Sequence, residues 1–242
     1  MKRNSTTEQT QLNQRLARIA RLGATLAVVT IAFGCAVSAF AQDTFAQFDE
    51  TQGNEPFTFT NNGTSATFSG TAMGNFTFLL PGLPNTPQAV IITLSSTTFT
   101  QAETGGPLIL QPIDGSTNTL SFTRVSDGAN LLTVTFTGSI LGFAGNNSAT
   151  MSGNTAMGDT VTFTSDFLNF SGTTERDMSV DLSLDPAYTQ NADGFLDNFT
   201  ADLDGGFTAT PDPTVVPEPA VYMLFGAGLL LCGQCFLRHR PR

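Results

Sequence analysis

The chain has 242 residues, a formal net charge of −10 and a sequence pI near 4.3. Residues 42–215 contain 18 of the 20 acidic residues but only Arg124 and Arg176 as basic residues, so their own charge is 2 − 18 = −16. A surface of this sign repels phosphates and anionic lipids, which excludes nucleic acid as a partner of this region.

Reactive side chains are scarce in the same region. The three cysteines, Cys35, Cys232 and Cys235, lie in apolar segments near the two ends, and the single histidine is His239. Residues 42–215 therefore contain no disulfide and no thiolate metal site. Their serines and threonines have neither a histidine nor a lysine as a base, which argues against nucleophilic catalysis. Paired carboxylates could support glycoside hydrolysis, but no two acids stand out, so we expect a protein that is not an enzyme.

Residues 1–41 are predicted to be a secretory signal peptide with an apolar helix. A basic region ends at Arg21, and an uncharged apolar stretch follows. Ala39 and Ala41 then form the small-x-small pattern of a signal peptidase site before Gln42. The alternative is a membrane anchor that is not removed.

Residues 42–208 are predicted to form an extracellular all-β domain, an antiparallel β-sandwich or jelly roll. Short stretches rich in Thr, Val, Phe and Ile alternate apolar and polar residues with period two, as half-buried strands do. Clusters of Gly, Asn, Asp and Pro separate them and predict turns. The predicted strands are 56–60, 66–70, 75–80, 89–94, 120–125, 131–138, 160–167 and 178–184.

The phenylalanines of these strands are predicted to form the core, with the alternating threonines facing solvent. An aromatic strand face could instead stack against sugar rings, but polar-tipped Trp and Tyr suit such wet surfaces better. The chain has no Trp, and residues 42–215 have one Tyr, Tyr188. The composition therefore favours core packing.

Three aspartates lie in and directly beside the last predicted strand, where they alternate with the segments MSV and LSL. They are Asp177, Asp181 and Asp185. Charged side chains of this kind protect an exposed sheet edge from pairing with another chain, so this segment is predicted to be an edge strand.

Asp193, Asp202 and Asp204 are the candidate ligands of a calcium ion. They lie in segment 191–206, which is rich in Asp and Asn, and carboxylate and amide oxygens suit Ca²⁺. The segment contains only fragments of an EF-hand loop. The alternative is two Asx/Gly turns that flank a strand around Phe199.

The chain changes character near its C-terminus. Residues 209–219 are Pro-rich and are predicted to be a linker, and residues 220–237 are almost entirely apolar. As a helix, a segment of this length spans about 27 Å, enough to cross the core of a bilayer. A buried core helix is the alternative. The basic tail, 238–242, would stay in the cytoplasm through Arg238, Arg240 and Arg242.

Val216, Pro217, Glu218, Pro219 and Ala220 stand immediately before this apolar segment. Followed by the span and the arginines, they closely resemble the PEP-CTERM sorting signal of bacterial proteins. The resemblance covers only the C-terminal end of the chain. It implies recognition by an exosortase, a membrane-embedded processing enzyme, followed by release or attachment at the cell surface. It also implies a bacterium that makes exopolysaccharide.

These observations predict an exported protein that is sorted to the cell surface or extracellular matrix, with a structural or adhesive role alongside exopolysaccharide. Its expected partners are signal peptidase, the exosortase, the inner membrane before processing, and the glycan. No cofactor is expected. Two alternatives stay open: a carbohydrate-binding surface module, and a secreted polysaccharide hydrolase that uses two aspartates.

Overall fold

The computed structural model describes residues 43–53 and 55–216. The chain divides after Ala41 into two units, and the described residues all belong to the second. None of the helical structure in residues 43–53 and 55–216 has the length and hydropathy of a membrane-spanning helix. Outside it lie the predicted signal peptide with Ala39 and Ala41, sorting residues 217–220, the apolar run 220–237, and Arg238, Arg240 and Arg242.

The described residues form an all-β fold of fifteen strands, with one short 3-10 turn at Thr155–Met157 and no α-helix. The strands are β1 (Thr44–Glu50), β2 (Phe57–Asn61), β3 (Ala66–Phe78), β4 (Gln88–Thr98), β5 (Glu103–Gly105), β6 (Leu108–Ile113), β7 (Thr119–Arg124), β8 (Asn130–Phe136), β9 (Gly138–Phe143), β10 (Ser148–Asn154), β11 (Val161–Thr164), β12 (Leu168–Asn169), β13 (Glu175–Asp185), β14 (Phe199–Thr210) and β15 (Thr214–Val215).

Thirteen strands form one large antiparallel sheet, in the order β11-β8-β7-β4-β3-β1-β14-β13-β10-β9-β6-β5, with β2 beside β3 and β14. β1 and β2 follow one another in the space between these two long strands. β1 pairs with residues 74–78 of β3, and β2 pairs with residues 66–70. β12 and β15 form a separate two-stranded ladder.

The period-two pattern explains which side chains enter the core. In β4, Val90, Ile92 and Leu94 are buried, whereas Ile91 and Thr93 between them are exposed. Successive side chains of a strand point to opposite faces, so each strand buries one side and leaves the other in solvent.

The core is built largely from phenylalanine, as predicted. All described phenylalanines are buried except Phe99 and Phe143. The ring of Phe207 on β14 lies within 6.5 Å of the rings of Phe45, Phe48, Phe76, Phe122 and Phe163. Some of these partners are on strands far from β14 in the sheet order, so the sheet curves back on itself. This arrangement is consistent with a β-sandwich.

The prediction that Asp177, Asp181 and Asp185 mark an edge strand is wrong. They lie on β13, which pairs along its length with β14 on one side and along most of it with β10 on the other. Their charged side chains therefore lie on the outer face of the sheet and do not protect an edge.

One of the two predicted Asx/Gly turns is confirmed, and the other is wrong. The Asn191 side-chain oxygen accepts a hydrogen bond from the Asp193 amide at 3.0 Å, and Gly194 has a φ of 87°. Asp202, Asp204 and Gly205, in contrast, lie inside β14. A Cβ atom at Gly205 would stand 2.3 Å from the Ser179 carbonyl oxygen, so this glycine permits close strand approach instead of a turn.

The ordered fold continues past the boundary predicted at residue 208. β14 runs to Thr210, and β15 pairs with β12. The Val216 amide then donates a hydrogen bond of 2.8 Å to the Phe167 carbonyl oxygen. The first part of the predicted linker is therefore tied to the domain.

Candidate functional site

Three aspartates from distant parts of the chain stand side by side on the outer face of the sheet. Strand pairing places Asp204 of β14 directly opposite Asp49 of β1 on one side and Asp181 of β13 on the other. All three side chains are exposed. We call these three residues the carboxylate row.

The carboxylate row is electrostatically unfavourable at neutral pH. Like charges directly opposite one another in a sheet destabilise it. Partial burial, then the charges of Asp181 and Asp49, raise the pKa of Asp204 above its usual range. One stabilising contact is present, because the Thr150 hydroxyl donates a hydrogen bond of 2.9 Å to Asp181.

The two arginines of segment 42–215 contact groups outside the carboxylate row. Arg124 forms an ion pair with Asp127 at 2.6 Å. Hydrogen bonds from Arg124, supported by the Ala129 amide, lower the pKa of Asp127 to about 2. Arg176 donates from Nε to the Thr173 hydroxyl at 2.8 Å.

An open depression of about 440 Å³ lies beside the carboxylate row. It is partly open to solvent, and two residues of the carboxylate row, Asp49 and Asp204, belong to its lining. Its lining consists of Gln47, Phe48, Asp49, Asn75, Thr77, Pro87, Asp204 and Gly205.

A second acidic group surrounds the connection between β1 and β2. Burial, with a further contribution from Asp202, raises the pKa of Glu50. One Glu50 carboxylate oxygen is buried without a hydrogen-bond partner in the described part of the chain. Asp202 accepts a hydrogen bond of 2.8 Å from the Glu55 amide, and the Thr200 hydroxyl donates to the Glu55 carboxylate at 2.6 Å. Asp202 and Glu55 thus hold the connection against β14.

The three calcium candidates lie in different settings. Asp193 is in the turn after Asn191, where its carbonyl oxygen accepts a hydrogen bond of 2.7 Å from Gln101. Asp202 binds the Glu55 amide, and Asp204 belongs to the carboxylate row. Among residues 43–53 and 55–216, no group of three or more acidic, histidine or cysteine side chains is arranged to hold a metal ion.

The other part of the outer surface carries hydroxyl groups instead of carboxylates. Two rows of threonine and serine run across the strands, each residue paired with the next on the neighbouring strand. We call these two rows the hydroxyl face. The first row is Thr58, Ser69, Ser95, Thr119, Thr135 and Thr162, and the second is Thr71, Thr93, Ser121, Thr133 and Thr164.

Most hydroxyls of this face are turned to solvent rather than into the protein. The residues are exposed or half-buried. Within the described residues, the hydroxyls of Thr119, Thr135 and Thr164 form no hydrogen bond, and Thr71 and Thr93 make only a long mutual contact of 3.5 Å. Each hydroxyl can both donate and accept, so the face offers regularly spaced, uncharged hydrogen-bonding groups.

An exposed apolar pair continues the hydroxyl face at one end. Met73 of β3 and Ile91 of β4 are paired across the strands, and their exposed fractions are 43 % and 39 %. They stand two residues along from Thr71 and Thr93, on the same side of the sheet. The outward side chains of β3, β4, β7, β8 and β11 therefore combine hydroxyl, amide and apolar groups without charge.

Comparison with protein-family models, curated proteins and solved structures finds no match to this chain.

Proposed function

We propose that this protein is an exported, non-enzymatic cell-surface or matrix protein, processed at its C-terminus by an exosortase and associated with exopolysaccharide. One observation carries the proposal: the chain is tied to the domain as far as Val216, whose amide donates a hydrogen bond of 2.8 Å to the Phe167 carbonyl oxygen, and Pro217, Glu218 and Pro219 follow directly in the sequence. The buried hydrophobic core of the described residues lies between Phe45 and Ala209. Cleavage near the prolines would therefore remove no residue of this core.

The local chemistry of the motif supports the same proposal. Proline lacks an N–H group and biases the residue before it away from the helical region. Two prolines around Glu218 thus favour an extended segment, the conformation that protease clefts bind. The hydrogen bond from the Val216 amide to the Phe167 carbonyl oxygen would fix where this segment leaves the domain.

The surface of the domain supports a non-enzymatic role. The depression beside the carboxylate row is partly open to solvent, and residues 43–53 and 55–216 contain no histidine, cysteine or lysine that could act beside its acids. The described domain is acidic, which favours solubility once it leaves the membrane. We also infer that the curved sheet packs as two layers in a β-sandwich, and the jelly-roll form stays a prediction.

The experiment is mass spectrometry of both termini of the protein recovered from its own cells. The proposal expects a start at Gln42 and an end near 217–219. A variant with Pro217, Glu218 and Pro219 replaced by alanine should keep Arg242 and stay in the membrane fraction. An intact C-terminus in the unaltered protein, or normal processing of the variant, would overturn the proposal.

A further inference from the structure

We propose that the hydroxyl face binds an extended chain of a neutral polysaccharide. This inference deepens the proposed function, on which its biological setting rests, because it assigns the glycan contact to one surface and one glycan class. Its physical basis is the regular placement of uncharged hydroxyl groups on strands β2, β3, β4, β7, β8 and β11.

The hydroxyl face is uncharged and the domain around it is negative, which favours a neutral partner. Asp49, Asp181, Asp202 and Asp204 project from β1, β13 and β14. On the five strands β3, β4, β7, β8 and β11, the exposed positions of the face are uncharged. An anionic glycan approaching the domain would be repelled by its overall negative charge, whereas a neutral glycan is not.

The chemistry of the face matches that of a sugar polymer. Sugar hydroxyls donate and accept hydrogen bonds, and so do the threonine and serine hydroxyls. The hydroxyls of Thr119, Thr135 and Thr164 make no hydrogen bond within the described residues, so contacts to these hydroxyls would break none of the protein's own. Met73 and Ile91 add an exposed apolar surface against which the C–H faces of sugar rings can pack.

The dimensions of the face favour a polymer over a single sugar. Neighbouring strands lie about 4.8 Å apart, so six strands in one row extend over about 24 Å. A single hydroxyl contact contributes little, because it replaces a hydrogen bond to water. Many such contacts along one chain add up, since each later contact forms within a complex that already exists.

The twist of the sheet favours a flexible chain over a rigid crystal. Adjacent strands rotate by about 20–25° relative to one another, and the rotation accumulates across the rows. A planar solid such as ice would meet only a few strands at once. An extended glycan chain can follow the curvature and contact the whole row.

The test compares binding of the full-length protein, purified in mild detergent, to immobilised neutral glucans and to alginate as an anionic glycan. The key variant is Thr119→Val/Thr135→Val/Thr164→Val, because valine keeps the shape and strand preference of threonine but removes the hydroxyl. The matched control is Thr44→Val/Thr117→Val/Thr214→Val, three exposed threonines outside the hydroxyl face.

The proposal expects binding to at least one neutral glucan that strengthens with glucan chain length. It also expects the key variant to lose affinity by about tenfold or more, and the control to bind as the unaltered protein does. No binding to any neutral glucan, equal binding of the key variant, preference for alginate, or ice adsorption without glucan binding would each overturn it. Because termini are mapped separately, failure here would leave the sorting proposal standing.

Discussion

The rings of Phe122 and Phe207 lie 5.5 Å apart, centroid to centroid, at an interplanar angle of 70°. Phe122 is on β7 and Phe207 is on β14, and β4, β3 and β1 stand between them in the sheet order. In a flat sheet four strand spacings would separate them by about 19 Å. Their contact therefore measures how strongly the sheet closes over its own core.

Phe207→Ala is expected to lower the free energy of unfolding by about 3–5 kcal/mol, because it removes a fully buried ring from the centre of the aromatic core. Denaturant unfolding followed by circular dichroism measures the change. Phe143→Ala is the control, since Phe143 is 51 % exposed, and it should change stability by less than about 0.5 kcal/mol. Equal effects of the two substitutions would contradict this account of the core.

The alternating pattern predicts β2, β4, β7, β8, β11 and β13, but it misses other strands, among them β1 and β6, which contain no glycine, and it divides one strand at glycine. The pattern predicts two strands, 66–70 and 75–80, but the structure has the single strand β3. Gly70 and Gly74 caused the difference. A Cβ atom on Gly70 would stand 2.4 Å from the Pro56 carbonyl oxygen, so this glycine permits backbone contact within a continuous strand.

The surface features could not be predicted because they depend on strand register. Sequence alternation correctly placed the threonines outward, but it could not show that Thr119 would stand beside Thr135 or Ser95 beside Ser69. The sequence groups Asp204 with its neighbours in the chain as a candidate calcium ligand. In the structure it stands beside Asp49 and Asp181, which are distant from it in the sequence and repel it.

Gly205→Ala is expected to destabilise the domain by about 2 kcal/mol or more, because the new methyl group would collide with the Ser179 carbonyl oxygen of the paired strand. Backbone atoms in the middle of a ladder cannot move aside easily. Thermal unfolding of the variant provides the measurement. Gly172→Ala should be nearly neutral, since a Cβ atom there meets nothing within 4 Å. Similar melting temperatures for both variants would show that β13 and β14 are less closely paired.

Asn118→Ala is expected to cost about 2–4 kcal/mol, because the buried Asn118 side chain satisfies three backbone groups. It donates to the Gly115 and Phe136 carbonyl oxygens at 2.7 and 3.0 Å, and it accepts from the Thr97 amide at 2.8 Å. Hydrogen exchange should also quicken at the Thr97 amide. Thr117→Ala, an exposed change in the same turn, serves as the control and should alter neither quantity. Unchanged protection at Thr97 in Asn118→Ala would contradict the prediction.

The repulsion within the carboxylate row should make the stability of the domain depend on pH. The pKa of Asp204 is raised in the folded protein, so its protonated form favours folding. That stabilisation is fully present below the unfolded value of about 4 and is lost as the pH rises through the folded pKa. Asp204→Asn should therefore raise the melting temperature by about 1–3 °C at pH 7. Below pH 4 the variant and the unaltered protein should melt alike, as far as this group is concerned.

A matched charge change separates this local repulsion from the effect of net charge. Asp212→Asn removes the same charge from an exposed segment between β14 and β15, where no paired strand places a carboxylate opposite it. High salt should shrink the difference between Asp204→Asn and the unaltered protein, because screening weakens repulsion between exposed charges. If Asp212→Asn raised the melting temperature at pH 7 as much as Asp204→Asn did, general acidity would be responsible. A larger rise in melting temperature for Asp204→Asn would show that the loss of stability between pH 4 and pH 7 comes from the pairing of Asp204 with Asp49 and Asp181.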